Sequence, residues 1–331
     1  MLHVVLAAAL SASLQQAITY FQAERPRLEA RLGASQTVDL GLRLVIDRNE
    51  LNDPAPAWYT PQAWNDTLRT VSTVDIDAVR EAAEDTVPQL PRQTGLHEGF
   101  VRSAIDGVWE PVAVYIPPND TAHPPLAIVL HGRPQSETEL LGQPYLRELA
   151  DRTGTILVAP WGRGNYDFEG PAAADLDALA TFAQSTYGSD PHELYLVGYS
   201  MGGFSVFKVG TARPWSAVMC IAGALLNSEV PAVRFAWRDT PVYLINGTLD
   251  EEIPPVYGMR SAAFMESLGI PATFYQQTGG HHAVRTLMPA LERAWADMHA
   301  GVVRANTIPH GAAGTAFLPA VPAMHDADLK P

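Results

Sequence analysis

Helical spacing of apolar residues dominates the first part of the chain. Between residues 14 and 32 the apolar side chains of Leu14, Ile18, Phe21 and Leu28 have helical spacing, which predicts a helix interrupted at Pro26 and ended by Gly33. A second, shorter helix is predicted over 76–87, where Pro88 ends it. We therefore expect a mainly helical extension at the N-terminus.

One stretch of this extension follows a different period. Between residues 38 and 46 every second residue is apolar, and strict alternation predicts a strand. The Leu and Arg residues in the stretch are good helix formers, which is the argument against a strand. Three prolines lie in 52–61, so these residues are predicted to form a loop.

Beyond residue 91, short apolar runs alternate with helical stretches. Two runs flank Asp106-Gly107, a dipeptide typical of hairpin turns, and predict antiparallel strands over 100–105 and 108–116. The further predicted strands are 126–130, 155–159, 194–197, 217–222, 242–245 and 273–275. The predicted helices between and after them are 145–150, 172–187 and 284–298.

This alternation predicts the fold class and the domain organisation. Strands that are apolar throughout and alternate with helices form a doubly wound, mostly parallel sheet, here with an antiparallel N-terminal hairpin. We expect an N-terminal extension over 1–91, a catalytic α/β domain over 92–304, and an extended or disordered tail over 305–331, which is rich in Pro, Gly and Ala.

Composition narrows the range of partners. The chain of 331 residues has 47% hydrophobic and 18% charged residues, which suits a globular protein with a sizeable core. Its formal net charge of −14 argues against nucleic acid or an anionic membrane as the main partner. The one cysteine, Cys220, lies in an apolar run and is predicted to be a buried core residue.

The beginning of the chain bears on localisation. No apolar run approaches the roughly 18 residues that a membrane span needs. Residues 1–13 are small and apolar like part of a signal peptide, but no Lys or Arg precedes them. We expect the start of a helix and a cytoplasmic protein, with secretion as the alternative.

The motif Gly198-Tyr199-Ser200-Met201-Gly202 predicts a nucleophile. It follows an apolar strand and precedes a run of small residues, so Ser200 is expected at the apex of a sharp turn from strand to helix. Glycines two positions before and after the serine remove Cβ atoms that would collide in that turn. A flexible surface turn is the alternative interpretation of the bare motif.

A serine nucleophile needs a base and a carboxylate that orients it, both in loops after strands of the same sheet. Asp250 follows the strand over 242–245, and the turn residues Asn246-Gly247 favour it over its neighbours Glu251 and Glu252. An acidic surface loop is the alternative interpretation of this segment.

The base should likewise be a histidine in a loop after a strand, and the chain has ten histidines. His131, His281 and His282 follow a predicted strand closely; His131 precedes the nucleophile and is interpreted as structural. We favour His281 over His282 because it comes directly after a pair of glycines. A metal site on the paired histidines is disfavoured, since sequence neighbours rarely converge on one metal and no third ligand is apparent.

Two backbone N–H groups should stabilise the oxyanion of an acyl-transfer reaction. One is predicted at Met201, directly after the nucleophile. The other is predicted at Arg133, in the loop after the strand over 126–130, because Pro134 has no N–H to offer.

Over residues 126–298 the chain resembles the α/β-hydrolase superfamily, with Ser200, Asp250 and His281 in that superfamily's order of nucleophile, acid and base. Residues 187–203 are similar to the branch of esterases, polyester depolymerases and prolyl-oligopeptidase-like enzymes. The resemblance implies hydrolysis of an acyl bond through a serine acyl-enzyme, with no metal or cofactor.

The substrate is less well defined by the sequence. Trp161 and Tyr166 in one predicted loop and Trp237 before the acid-bearing strand could line an acyl or aryl pocket, or pack in the core. We expect a serine esterase acting on a small-molecule or polymeric ester. An oligopeptidase-like peptidase and a non-catalytic binding protein of the same fold are the alternatives. The oligomeric state stays open.

Overall fold

A computed structural model of the chain describes residues 2–84, 87, 89–119 and 121–306. The strands β1 to β8 are, in chain order, Gly95–Arg102, Trp109–Ile116, Leu126–Leu130, Ile156–Pro160, Leu194–Tyr199, Ala217–Ile221, Val242–Gly247 and Ala272–Gln277. The helices α1 to α10 are Leu2–Leu32, Ala34–Glu50, Pro61–Ala82, Glu137–Gly142, Pro144–Thr153, Pro171–Tyr187, Met201–Val209, Val230–Ala236, Pro255–Ser267 and Val284–His299. Nearly all of the tail predicted over 305–331 lies outside the described residues.

The strands form a mixed sheet in the order β1-β2-β4-β3-β5-β6-β7-β8. Strand β2 pairs antiparallel with β1 and with β4, whereas β3 and β4 are parallel, as are β5 to β8. The predicted fold class is therefore confirmed: a mostly parallel sheet with an antiparallel N-terminal hairpin. The hairpin loop runs over 103–108, where Gly107 has a φ of +76° that favours glycine.

Contacts divide the chain into two compact units, 1–194 and 195–331. In the first unit, helices α1, α2 and α3 pack together, and α3 also packs on β1 and α4. Their shared core includes Leu14, Leu28, Leu40, Leu44 and Val79, all essentially inaccessible to solvent. The three helices thus group with β1 to β4, and the boundary proposed at residue 91 stays a prediction.

The strand predicted over 38–46 is wrong, because these residues lie in helix α2. Leu40 and Leu44 are one helical turn apart and both are buried in the core, while Val38 and Leu42 are each 52% exposed. The alternating pattern therefore reflects two opposite sides of a helix rather than two faces of a strand. Packing of the Leu40 side against α1 and α3 decides the conformation.

The other helices of this region differ from prediction at their ends. Helix α1 continues through Pro26, where an interruption was predicted. Helix α3 begins much earlier than the predicted residue 76, with Thr60 as an N-cap that accepts a hydrogen bond from the Ala63 N–H at 3.2 Å. It ends at Ala82, before Pro88, which lies outside the described residues.

The second unit contains the parallel strands β5 to β8 and helices α7 to α10. Strands β5, β6 and β7 are buried throughout, whereas β8 at the edge of the sheet is half buried. The predicted burial of Cys220 in β6 is confirmed. Tyr199 pairs with Ile221, and Gly247 pairs with Gln277, so strands β5 to β8 end at one edge of this unit's sheet. The loops that follow these strands carry the candidate site. None of the helices in the described part of the chain has the length and hydropathy of a membrane span.

Candidate active site

Ser200 lies at the apex of the turn between β5 and α7, as predicted. Its φ is +52° and its ψ is −114°, and a positive φ is uncommon for a residue with a side chain. A Cβ atom on Gly198 would lie 2.1 Å from the carbonyl oxygen of Gly202, so the turn requires glycine there. The Ser200 N–H donates to the carbonyl of Ile221 on the neighbouring strand β6 at 2.9 Å, which fixes the turn to the sheet.

Asp250 occupies the loop after β7, and its side chain is fully buried. One carboxylate oxygen, Oδ1, accepts hydrogen bonds from the backbone N–H groups of Glu252 at 3.1 Å and Ile253 at 2.8 Å. The other, Oδ2, lies 2.8 Å from Nδ1 of His282. Asp250, rather than Glu251 or Glu252, is therefore the carboxylate that faces Nδ1 of this histidine.

The preference for His281 over His282 is wrong. Nε2 of His282 lies 2.8 Å from the Ser200 hydroxyl, while its Nδ1 contacts Asp250. The side chain of Thr286 instead binds the backbone of His281, accepting from its N–H at 2.9 Å and donating to its carbonyl at 3.0 Å. The chain thus needs one more residue after the glycine pair before a side chain reaches the serine.

The two loops that carry Asp250 and His282 are joined by backbone contacts. The Leu249 N–H donates to the Gly280 carbonyl at 2.8 Å, and the Thr248 N–H donates to the Gln277 carbonyl at 2.9 Å. A Cβ on Gly247 would lie 2.1 Å from the Gly280 oxygen, so this approach depends on glycine. The carboxylate and the imidazole are therefore held in register by the loops themselves.

Tyr199 contacts the histidine loop from the nucleophile turn. Its hydroxyl donates to the His282 carbonyl at 2.9 Å, and the two rings lie 5.5 Å apart between centroids. No local sequence pattern predicts this contact, because 83 positions separate the two residues. Tyr199 thus ties the base to the residue next to the nucleophile.

The predicted oxyanion donors lie in different units. Met201 is the first residue of α7, and the first N–H groups of a helix have no acceptor within the helix. Arg133 lies in the first unit, between β3 and α4; its guanidinium donates to the carbonyl of Asn165 and lies 3.6 Å from the Asp167 carboxylate. The contribution of the Arg133 backbone N–H stays a prediction.

The aromatic residues predicted to line a pocket have different environments. Trp237 is completely buried, and its ring centroid lies 5.7 Å from that of Phe207, so it is a core residue and cannot line an accessible pocket. In the first unit, Trp161 stacks on His131 at 5.5 Å between centroids. Tyr166 is 76% exposed. A role of Trp161 and Tyr166 in substrate binding stays a prediction.

His131 is interpreted correctly as structural. Its ring is completely buried, and both ring nitrogens bind backbone carbonyls, those of Gly132 at 2.8 Å and Trp161 at 3.1 Å. Across the described residues, no group of three or more His, Cys, Asp or Glu side chains is arranged to hold a metal ion. The polar groups gathered at the end of the parallel strands are thus a serine, an imidazole and carboxylates.

Two curated proteins are similar to part of this sequence. The bifunctional acetylxylan esterase/xylanase XynS20E of Neocallimastix patriciarum is 26% identical over 151 residues, which is 44% of this chain and 22% of that protein. NocK of Nocardia uniformis subsp. tsuyamanensis, a proposed esterase, is 29% identical over 150 residues, 42% of this chain and 43% of that protein. The chain spans less than half the length of either relative. No model of a known protein family matches it.

Solved structures share the fold. A thermostable esterase superposes with a TM-score of 0.51 and 16% identity, over 62% of each chain. The serine hydrolase FphF of Staphylococcus aureus superposes with a TM-score of 0.53 and 12% identity, over 62% of this chain and 99% of that one. An S-formylglutathione hydrolase of Agrobacterium tumefaciens gives 0.50 and 17%, over 65% and 99%. The fold is the α/β-hydrolase fold that the sequence predicts.

Proposed function

We propose that the protein is a serine hydrolase that cleaves carboxylic esters through an acyl-enzyme on Ser200. The observation that carries this proposal is the continuous hydrogen-bonded chain from Ser200 Oγ through His282 to Asp250, with both contacts at 2.8 Å. A serine becomes nucleophilic when a base accepts its proton, and the base needs a partner that fixes its tautomer. These three residues meet both requirements.

In the acylation step, Ser200 Oγ attacks the ester carbonyl carbon while His282 Nε2 takes its proton. The carbonyl oxygen becomes an oxyanion, towards which the Met201 N–H donates. Each such donor typically contributes on the order of 3–4 kcal/mol to the transition state. The tetrahedral intermediate collapses, His282 returns the proton to the leaving alkoxide, and an alcohol departs.

In the deacylation step, water replaces the alcohol. His282 takes a proton from the water as its oxygen attacks the acyl carbon, and returns the proton to Ser200 Oγ when the carboxylic acid leaves. Asp250 holds Nδ1 of the ring and stabilises the imidazolium in both steps. Two backbone N–H groups in turn bind the other oxygen of this buried carboxylate.

Two further observations support ester hydrolysis. Both curated relatives carry esterase in their names, as does one of the superposed structures. Within the second unit, only the seven-residue helix α8 lies between β6 and β7, too little for a large helical lid. We therefore propose an open site for small-molecule or polymeric esters.

The test is Ser200→Ala, with Ser267→Ala as the control at an exposed serine of α9 in the same unit. We expect the first variant to lose p-nitrophenyl ester hydrolysis by a factor on the order of 10^6 in kcat. It should also lose labelling by a fluorophosphonate, while Ser267→Ala retains both.

The alternatives predict other results with the same proteins. Cleavage of short peptides without cleavage of esters would favour a peptidase. Folded wild-type protein that resists the fluorophosphonate would favour a binding protein without catalysis. An active Ser200→Ala variant would overturn the proposal.

A further inference from the structure

A second carboxylate lies beside the catalytic histidine of the proposed reaction, on the side of its other nitrogen. Oε2 of Glu252 is 3.8 Å from His282 Nε2, the atom that contacts Ser200 Oγ. The two carboxylates differ in exposure: the Asp250 side chain is fully buried, whereas that of Glu252 is 70% exposed. Glu252 therefore lies at the solvent-facing end of the hydrogen-bonded series from Asp250 through His282 to Ser200.

The backbone of Glu252 is held by a hydrogen bond to the Asp250 carboxylate. Its N–H donates to Asp250 Oδ1 at 3.1 Å, and the following Ile253 N–H donates to the same oxygen at 2.8 Å. Pro254 and Pro255 come next, and Pro255 opens helix α9. Since proline restricts the backbone and the preceding turn is hydrogen-bonded, this segment keeps the glutamate close to the reacting atoms.

The position of Nε2 locates the leaving group. In the proposed mechanism, this atom gives its proton to the leaving alkoxide, so the alcohol oxygen comes within hydrogen-bond distance of it. A charge two or three carbons from that oxygen would lie within a few ångströms of the Glu252 carboxylate. We propose that Glu252 selects substrates by the charge of the leaving alcohol, favouring cationic alcohols and disfavouring anionic ones. This inference rests on the proposed function and deepens it.

The net charge of the whole protein is a competing explanation for a preference for cationic alcohols. The net charge of −14 alone attracts cations to the whole surface. Glu251 separates the two effects, because it is an exposed neighbour in the same loop with the same charge, and Asp250 rather than Glu251 faces the imidazole. Neutralising Glu251 or Glu252 changes the net charge equally, but only Glu252 has a carboxylate oxygen 3.8 Å from Nε2.

The experiment compares three butyrate esters with the wild-type protein, Glu252→Gln and Glu251→Gln. The esters are butyrylcholine, its neutral isostere 3,3-dimethylbutyl butyrate, and 3-butyryloxypropanoate, which carries a carboxylate on the alcohol side. Initial rates from a pH-stat at low ionic strength give kcat/KM for each. The ratios of the charged esters to the neutral one cancel any general loss of activity.

We expect Glu252→Gln to lower the cation-to-neutral ratio by about threefold and to raise the anion-to-neutral ratio by a similar factor, the size usual for an exposed ion pair. In the wild type, added salt should weaken both preferences. Glu251→Gln should leave both ratios near the wild-type values.

Other outcomes overturn the inference in distinguishable ways. Unchanged ratios in Glu252→Gln, with the neutral ester still hydrolysed, remove the charge selection and leave the proposed function intact. Equal shifts in the two variants assign the preference to the overall charge of the protein. Absence of hydrolysis of all three esters by the wild type overturns the proposed ester hydrolysis together with the selection.

Discussion

The buried carboxylates of the two units have different kinds of partner. In the second unit, Asp250 accepts three hydrogen bonds, from His282 and from two backbone N–H groups. In the first unit, Glu98 and Glu137 have side chains that are just as inaccessible and face one cation, Arg43, at 3.3 and 2.7 Å. Burial, followed by the neighbouring Glu137, raises the pKa of Glu98 well above its ordinary range.

The two networks differ in whether they lead to a solvent-exposed hydroxyl group. The hydrogen-bond network that starts at Asp250 continues through His282, whose side chain is 11% exposed, to Ser200, which is partly exposed. The network around Arg43 is closed at its centre, because the guanidinium is only 6% exposed and lies 5.0 Å from the centre of the Trp161 ring. A third carboxylate partner of Arg43, Asp39 at 2.9 Å, has a 20% exposed side chain and borders solvent. A network open at one end can exchange a proton with a substrate, whereas a closed one contributes to the stability of the fold.

The largest effect should come from breaking the open network at its centre. We expect His282→Ala to lower kcat for p-nitrophenyl esters by about 10^6-fold, as much as Ser200→Ala, because the serine loses its base. His281→Ala should cost less than about tenfold, since the backbone groups that bind Thr286 survive the substitution. Steady-state measurement of kcat for both variants shows which histidine is the base.

The pair of variants also tests the placement of the two loops. A loss in His281→Ala equal to that in His282→Ala would mean that the pairing of His282 with Ser200 is not the working arrangement. Circular dichroism and fluorophosphonate labelling on both proteins separate unfolding from loss of the base.

Ser200 and Asp250 could be predicted because each lies in the turn or loop just after the end of a strand. The turn glycine Gly198 marks the nucleophile, and the turn residues after β7 mark the acid loop. The histidine could not be assigned in the same way. Which of two adjacent side chains faces the serine depends on how Gly280 packs against Gly247 and Leu249, a contact between loops about thirty residues apart.

Tertiary packing also explains two of the other differences from prediction. Residues 38–46 alternate like a strand, but the helix is selected by burial of Leu40 and Leu44 against neighbouring helices. Trp237 precedes the strand that leads to Asp250, and only its packing beside Phe207 and Gly210 removes it from the surface. Local periodicity determines where strands β3 to β8 occur, whereas the burial of a single side chain depends on distant parts of the chain.

Removing the cation of the closed network should produce the next largest effect. We expect Arg43→Met to lower the free energy of unfolding by about 3–5 kcal/mol, because it leaves buried carboxylates without their partner. Urea denaturation followed by circular dichroism measures the change. The control is Arg48→Met on the same helix, whose guanidinium makes an exposed contact with Gln15 at 3.4 Å and should cost less than about 1 kcal/mol. Equal losses in both variants would contradict the difference in burial on which the comparison rests.

The smallest effect should be a change in the pH dependence of stability. Asp75 on helix α3 is 2% exposed, and burial, only partly opposed by Arg43, raises its pKa to about 7. Glu137 and Glu139 act on it in the same direction as burial.

An unfolded aspartate titrates near pH 3.9, so between about pH 4 and pH 7 the native state holds a proton that the unfolded state has lost. The free energy of unfolding therefore falls as the pH rises through this window, by an amount on the order of 2 kcal/mol between pH 5 and pH 8. Asparagine has nearly the same shape and does not titrate, so Asp75→Asn should lose less stability than the wild type over that range. Asp77→Asn, at a 56% exposed position on the same helix, should keep the wild-type slope. Urea midpoints at pH 5, 6, 7 and 8 measure the difference. A wild-type slope in Asp75→Asn would mean that other groups of the closed network carry the proton.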